Sequence, residues 1–118
     1  LQSVRAKVGG LSGGQRQAIA IARAVGADGS VVMLDEPTAA LGVAQTRQVL
    51  DVVKRLRDTN HAVIYISHNM RDIFEVADRI CVLRHGSNVA TWRKEDITPD
   101  EIVAAMTRGL DNEAGNAA

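Results

Sequence analysis

Runs of apolar residues in this chain switch between two periods, and the switching predicts an alternation of helices and strands. Residues 16–25 are rich in alanine, a strong helical stretch that Gly26 is placed to stop. Residues 31–34 are an unbroken apolar run, short enough for a buried parallel strand, and Pro37, with no N–H to donate, ends the ladder. Over residues 43–59, Val49, Leu50, Val53 and Leu56 fall on one stripe at helical spacing. Arg47, Asp51, Lys54 and Arg55 face water there, with Asp51 and Arg55 spaced to pair one turn apart. Residues 62–66 read as a second buried strand, 70–77 as a short helix, and 79–83 and 88–93 as strands joined by a hairpin turn over 84–87. Thr98, Pro99, Asp100 and Glu101 start a last helix, with proline in the first turn and acids near the positive end of the dipole, running to about Thr107. The order predicts an α/β fold: a mostly parallel sheet with crossover helices, then an antiparallel edge. Residues 109–118 are small and polar and are expected to be disordered.

Composition narrows this little. At 118 residues, with 46% hydrophobic and 24% charged positions, the chain is at most one ordinary globular domain. Fourteen basic and fourteen acidic residues cancel, so no bulk field draws it to nucleic acid or to an anionic membrane. One cysteine, Cys81, lies in an apolar run and reads as a small core residue; a single cysteine excludes a disulfide within the chain. No apolar run approaches the ~20 residues that span a bilayer, and no signal peptide is visible.

Three stretches carry candidate chemistry. Leu11, Ser12, Gly13, Gly14 and Gln15 form a Gly-rich turn opening a helix, where Ser12 is a natural cap and free N–H groups make an anion site. Asp35 and Glu36 sit at the carboxyl end of a strand, where open α/β sheets place their ligands. One acid could hold a metal and the other activate a water; equally, acids end buried strands simply to reach solvent. His68, after the next strand, opens on the same sheet edge. His61 and His85 fall in turns and read as ordinary loop residues.

Together the stretches LSGGQRQ (11–17), VVMLDEPT (31–38) and YISHN (65–69) are far more specific than any one of them. In order and spacing they resemble the second half of an ATP-binding cassette (ABC) ATPase, a P-loop NTPase-like domain, over nearly everything up to residue 108. The resemblance implies a role for each matching position. Leu11 to Gln15 correspond to the signature, whose serine hydroxyl (Ser12) and glycine N–H groups contact the γ-phosphate of ATP on a partner cassette. Asp35 matches the Walker B aspartate that supports Mg²⁺, Glu36 the general base, and His68 the switch histidine that contacts the γ-phosphate and keeps Glu36 and the water in register. Residues 36–43, 67–70 and 74–79 are similar to the ATPases of bacterial simple-sugar importers. Gly42 stands where most cassettes carry an aspartate exchanged across the dimer interface, a substitution found in that importer subset. The implied partners are a second cassette in a head-to-tail dimer, a membrane permease and, indirectly, a solute-binding protein, with the subunit at the cytoplasmic face of the membrane.

A P-loop is missing from these residues. Lys7, Lys54 and Lys94 are the only lysines, and none follows a glycine or precedes a serine or threonine. The sequence is therefore expected to be the C-terminal portion of a cassette, binding ATP poorly and not turning it over alone. The sheet would then have apolar edges and faces left uncovered. Two other readings stand beside the transport ATPase. One is an ABC ATPase acting on nucleic acid or the ribosome, for which the neutral charge gives no sign. The other is a non-enzymatic fragment that binds an intact cassette.

Overall fold

The structure, a computed structural model, describes residues 13–26 and 31–109. The chain divides into two compact units, residues 1–68 and 69–118.

In the first unit, helix α1 (Gly13–Gly26) leads to strand β1 (Val31–Asp35), helix α2 (Val43–Asp58) and strand β2 (Ala62–Ile66). The strands pair in parallel, Val31 with Ala62 through Asp35 with Ile66, as a strand–helix–strand crossover requires. The predicted stripe of α2 is its buried face: Val49, Leu50, Val53 and Leu56 are all inside. Each such side chain contributes about 1.5–3 kcal/mol by leaving water. Gly14, Ala18 and Ile21 of α1 are buried too, one helical face at i, i+4, i+7 spacing. Helix α1 packs against α2 and β1, and α2 also packs on β2. At the exposed side of α2, Asp51 pairs with Arg47 at 3.6 Å, a turn earlier, instead of with Arg55. Both spacings are i,i+4, and between exposed side chains the choice is worth little.

The sequence reads these strands as buried and also expects apolar faces of the sheet to be left uncovered; in this pair one face is buried and the other is open. In β1 only Val32 and Leu34 are buried, while Val31 and Met33 are 58% and 65% exposed. Ile64 and Ile66 of β2 are 46% and 44% exposed on the same face, because the in-phase parallel register aligns them with Met33 and Asp35. A continuous apolar run looks the same whether both faces are covered or one.

The second unit holds helix α3 (Met70–Val76), strands β3 (Arg79–Arg84) and β4 (Ser87–Arg93), a 3₁₀ turn (Lys94–Asp96) and helix α4 (Pro99–Arg108). Strands β3 and β4 are antiparallel, with a bulge between Val82 and Leu83. The two-residue turn between them carries positive φ at His85 (53°) and Gly86 (78°), the backbone that matches strand twist in a hairpin. This hairpin is the antiparallel element expected after the parallel strands. Cys81 is exposed, correcting its reading as a core residue. Ile80 and Val82 take the inward face of β3, and the two-residue period turns Cys81 outward, where its thiol donates to Asn88 Oδ1 at 3.4 Å. Helix α4 packs on β3 through buried Ile102 and Ala105. Its start is a reciprocal cap: Thr98 Oγ1 accepts from Glu101 N–H, and Glu101 Oε1 accepts from Thr98 N–H. Of the tail expected to be disordered, residues 110–118 lie outside the described residues.

Candidate active site

The candidate chemistry of the first unit gathers where β1 and β2 end. Strand β1 delivers Asp35 to its last position, exposed, and the chain then turns at Glu36. Glu36 N–H donates to Ile66 O at 2.7 Å, extending the parallel pairing by one bond. Its own φ is +50°, in the left-handed region that a glutamate seldom adopts. Such a conformation costs on the order of 1–3 kcal/mol and persists only where surrounding bonds over-determine it, as happens at functional sites. Pro37 follows, and Ala39 N–H closes a turn on Glu36 O at 3.2 Å, with proline at the position where its fixed φ suits the turn.

Two residues beyond the end of β2, His68 lies against this turn. His68 Nδ1 is 2.8 Å from Glu36 Oε2. An ionised carboxylate only accepts, so in this contact Nδ1 carries the proton; Nε2 then accepts in the neutral ring and donates only in the imidazolium. The imidazole side chain is 80% exposed and the carboxylate 35%. A pair this open to water adds little to stability.

Leu11 and Ser12 lie outside the described residues, as does the capping role expected of Ser12. Gly13, Gly14 and Gln15 form the first turn of α1. The two glycines also have a packing role. A Cβ at Gly14 would lie 2.7 Å from Gln45 O and 2.9 Å from Gln45 Cα, and one at Gly13 would lie 3.0 Å from the Leu41 side chain. The signature stretch thus sits directly on the start of α2.

One residue with no role assigned from the sequence joins these parts. Gln17 Nε2 donates to Pro37 O at 3.0 Å, tying α1 to the turn that holds Glu36. Its side chain lies one turn beyond Gly13 and Gly14, and no spacing rule points from there to residue 37. Gly42 N–H donates to Gln45 Oε1 at 2.9 Å, half of a capping box, since glycine has no side chain to return the bond.

As to a metal, no cluster of three or more ligating side chains exists among the described residues. That does not count against Mg²⁺, which binds through one or two carboxylates, substrate phosphates and several waters. The exposed carboxylate of Asp35 fits such a site.

The family model described as ABC transporter matches residues 2–39. Across 107 residues, 91% of the chain, it is 45% identical to the fructose import ATP-binding protein FrcA of Rhizobium meliloti. The chain is related to the ATP-binding proteins of ABC transporters. It is 43% identical to the xylose/arabinose import ATP-binding protein XylG of Sulfolobus acidocaldarius, over 91% of its length. It is 38% identical to the ribose import ATP-binding protein RbsA of Lacticaseibacillus paracasei, over 87%. The matches span 41%, 43% and 21% of those relatives, so the chain corresponds to less than half of each. Among solved structures, it resembles a metal-chelate type ABC transporter in an inward-facing conformation, with a TM-score of 0.74 and 29% identity over 86% of this chain and 41% of that one. A nucleotide-free ATP-binding cassette from an ABC transporter aligns with a TM-score of 0.68 and 25% identity, over 75% of this chain and 35% of that one. The α/β fold is therefore that of ABC ATPase cassettes, and the similar curated proteins are sugar import subunits.

Proposed function

We propose that this chain is the C-terminal portion of the ATP-hydrolysing subunit of an ABC importer for a simple sugar. The observation that carries the reading is the 2.8 Å contact between His68 Nδ1 and Glu36 Oε2 at the end of the β1–β2 pair. With Oε2 held by His68, the other carboxylate oxygen of Glu36 accepts a proton from the attacking water. His68 fixes the carboxylate's orientation and, as imidazolium, presents Nε2–H to a γ-phosphate oxygen. Asp35 would hold Mg²⁺, which when bound neutralises phosphate charge in the loose transition state of phosphoryl transfer. Leu11, Ser12, Gly13, Gly14 and Gln15 would present N–H groups and the Ser12 hydroxyl to ATP held by a second cassette. Most of the rate in such chemistry comes from positioning and electrostatic stabilisation, which suits a site made of a strained turn and a strand end.

The remaining parts of the proposal follow from the relatives. Their names as fructose, xylose/arabinose and ribose import proteins support a sugar as cargo. A head-to-tail pair of cassettes at the cytoplasmic face, bound to a permease that receives sugar from a solute-binding protein, is the assembly that reading requires. Among the described residues no helix is long and apolar enough to cross a membrane. Without a P-loop in its own residues, the 118-residue chain alone is not expected to hydrolyse ATP.

The test is MgATP hydrolysis by the full-length protein that carries this chain, with His68→Ala beside it. Hydrolysis by the parent, reduced on the order of 10²-fold or more in the variant, is the expected result. A parent without ATPase activity, or a variant as fast as the parent, contradicts the proposal.

A further inference from the structure

We propose that Gln17 is a positioning residue for Glu36, an inference that rests on the ATPase reading above. Glu36 sits in a left-handed conformation at φ +50°, so its backbone must be held from both sides. On one side its N–H donates to Ile66 O of β2 at 2.7 Å. On the other, the carbonyl of the next residue, Pro37, accepts from Gln17 Nε2 at 3.0 Å. Pro37 is buried and has no N–H, so its carbonyl is the hydrogen-bonding group it offers, and losing the donor leaves that group wanting.

The bond belongs to a larger weld. Gly13 approaches Leu41 and Gly14 approaches the backbone of Gln45 closely enough that neither site has room for a Cβ without movement. Gln17 lies four residues after Gly13, on the same face of α1. The first two turns of α1 therefore touch the segment from Pro37 to Gln45 at three places. A displacement of the N-terminus of α1, such as a phosphate contact at Gly13 and Gly14 would produce, reaches the Pro37 carbonyl within one helical turn. Glu36 is the adjacent residue. Gln17 thereby links what α1 binds to how the base is aimed, without itself touching the reacting atoms.

The experiment uses the full-length protein and three variants of similar length and good helix propensity. Gln17→Met removes the donor, Gln17→Glu places a carboxylate against the carbonyl, and Gln17→Lys restores a donor. The expected result is a kcat for ATP hydrolysis lowered about 10- to 100-fold in the Met and Glu variants in assays run well below the melting midpoint, with KM for ATP little changed, the midpoint lowered only by what one unpaired buried carbonyl costs, and partial recovery in the Lys variant. The His68 imidazole ¹⁵N and ¹H resonances, read in the same proteins, should shift in the Met variant because Glu36 has moved against the ring. Unchanged kcat and unchanged His68 resonances overturn the proposal. So does a loss of activity that merely follows a lowered melting midpoint, which would make Gln17 a packing residue. If the parent hydrolyses no ATP, the ATPase reading fails on its own, and the His68 resonances still decide whether Gln17 positions Glu36.

Discussion

Glu36 and its neighbours concentrate the unusual backbone of the first unit. Glu36 at φ +50° and Ala40 at φ +66° lie four residues apart in the turn that follows β1. Ala40 gains nothing from chemistry there, so its strain is separable from function. Ala40→Gly should stabilise the full-length protein by about 1 kcal/mol, because a left-handed conformation penalises alanine and not glycine. Denaturant melts check this; destabilisation by the substitution would show that Ala40 makes a contact that offsets its backbone. At Glu36 the same strain is kept by the Ile66 and Gln17 bonds, which argues for a purpose. Asp35, Glu36 and His68 were readable in the sequence because acids at a strand end and a histidine after the next strand open on one edge. The contact of Glu36 with His68 at 2.8 Å and the sign of φ at Glu36 were not, since both depend on how the turn at Pro37 is pinned. Gln17 was invisible for the same reason: its partner is a backbone carbonyl, which leaves no mark in the residue types.

At the scale of elements, the helices were the most legible part. The stripe of Val49, Leu50, Val53 and Leu56 and the Thr98–Glu101 cap come from local spacing, and both stand in the structure. The strands were legible in position, and an uncovered apolar face was expected, but not which face it would be, because the cover on a strand's faces is supplied by residues far away in sequence. Cys81 shows the limit: its apolar neighbours suggested the core, and the two-residue period put it outside. The signature glycines show another. Their usual justification is approach to phosphate, yet Gly14 is also where α1 meets α2. Gly14→Ala should therefore destabilise the full-length protein by about 1–3 kcal/mol even without nucleotide, since backbone atoms of Gln45 cannot swing aside as a side chain would. Thermal melts of the nucleotide-free protein measure it; an unchanged midpoint would leave Gly14 with a ligand role alone.

For the molecule as a whole, the β1–β2 face is the feature that most needs company. Val31, Met33, Ile64 and Ile66 form one exposed apolar patch, the kind of surface that self-associates when nothing covers it. The isolated 118-residue chain should elute from size exclusion as oligomers. Met33→Lys combined with Ile64→Lys should raise the monomer fraction several-fold, because charges on the face oppose pairing. A monomeric parent chain would mean the patch is covered in solution. None of this bears on hydrolysis, which the account places at the strand ends and in the full-length protein.

The most direct measurement of the central claim is single-turnover ATP hydrolysis by the full-length protein and its Glu36→Gln variant, with ATP binding measured in parallel. The amide keeps the shape of the side chain and its bond to His68 while losing the capacity to take a proton from water. The account predicts ATP affinity within a few-fold of the parent and hydrolysis slower by about 10²- to 10⁴-fold. Hydrolysis at the parent's rate in Glu36→Gln would contradict it, because the carboxylate that β1 delivers to His68 would then not be the base.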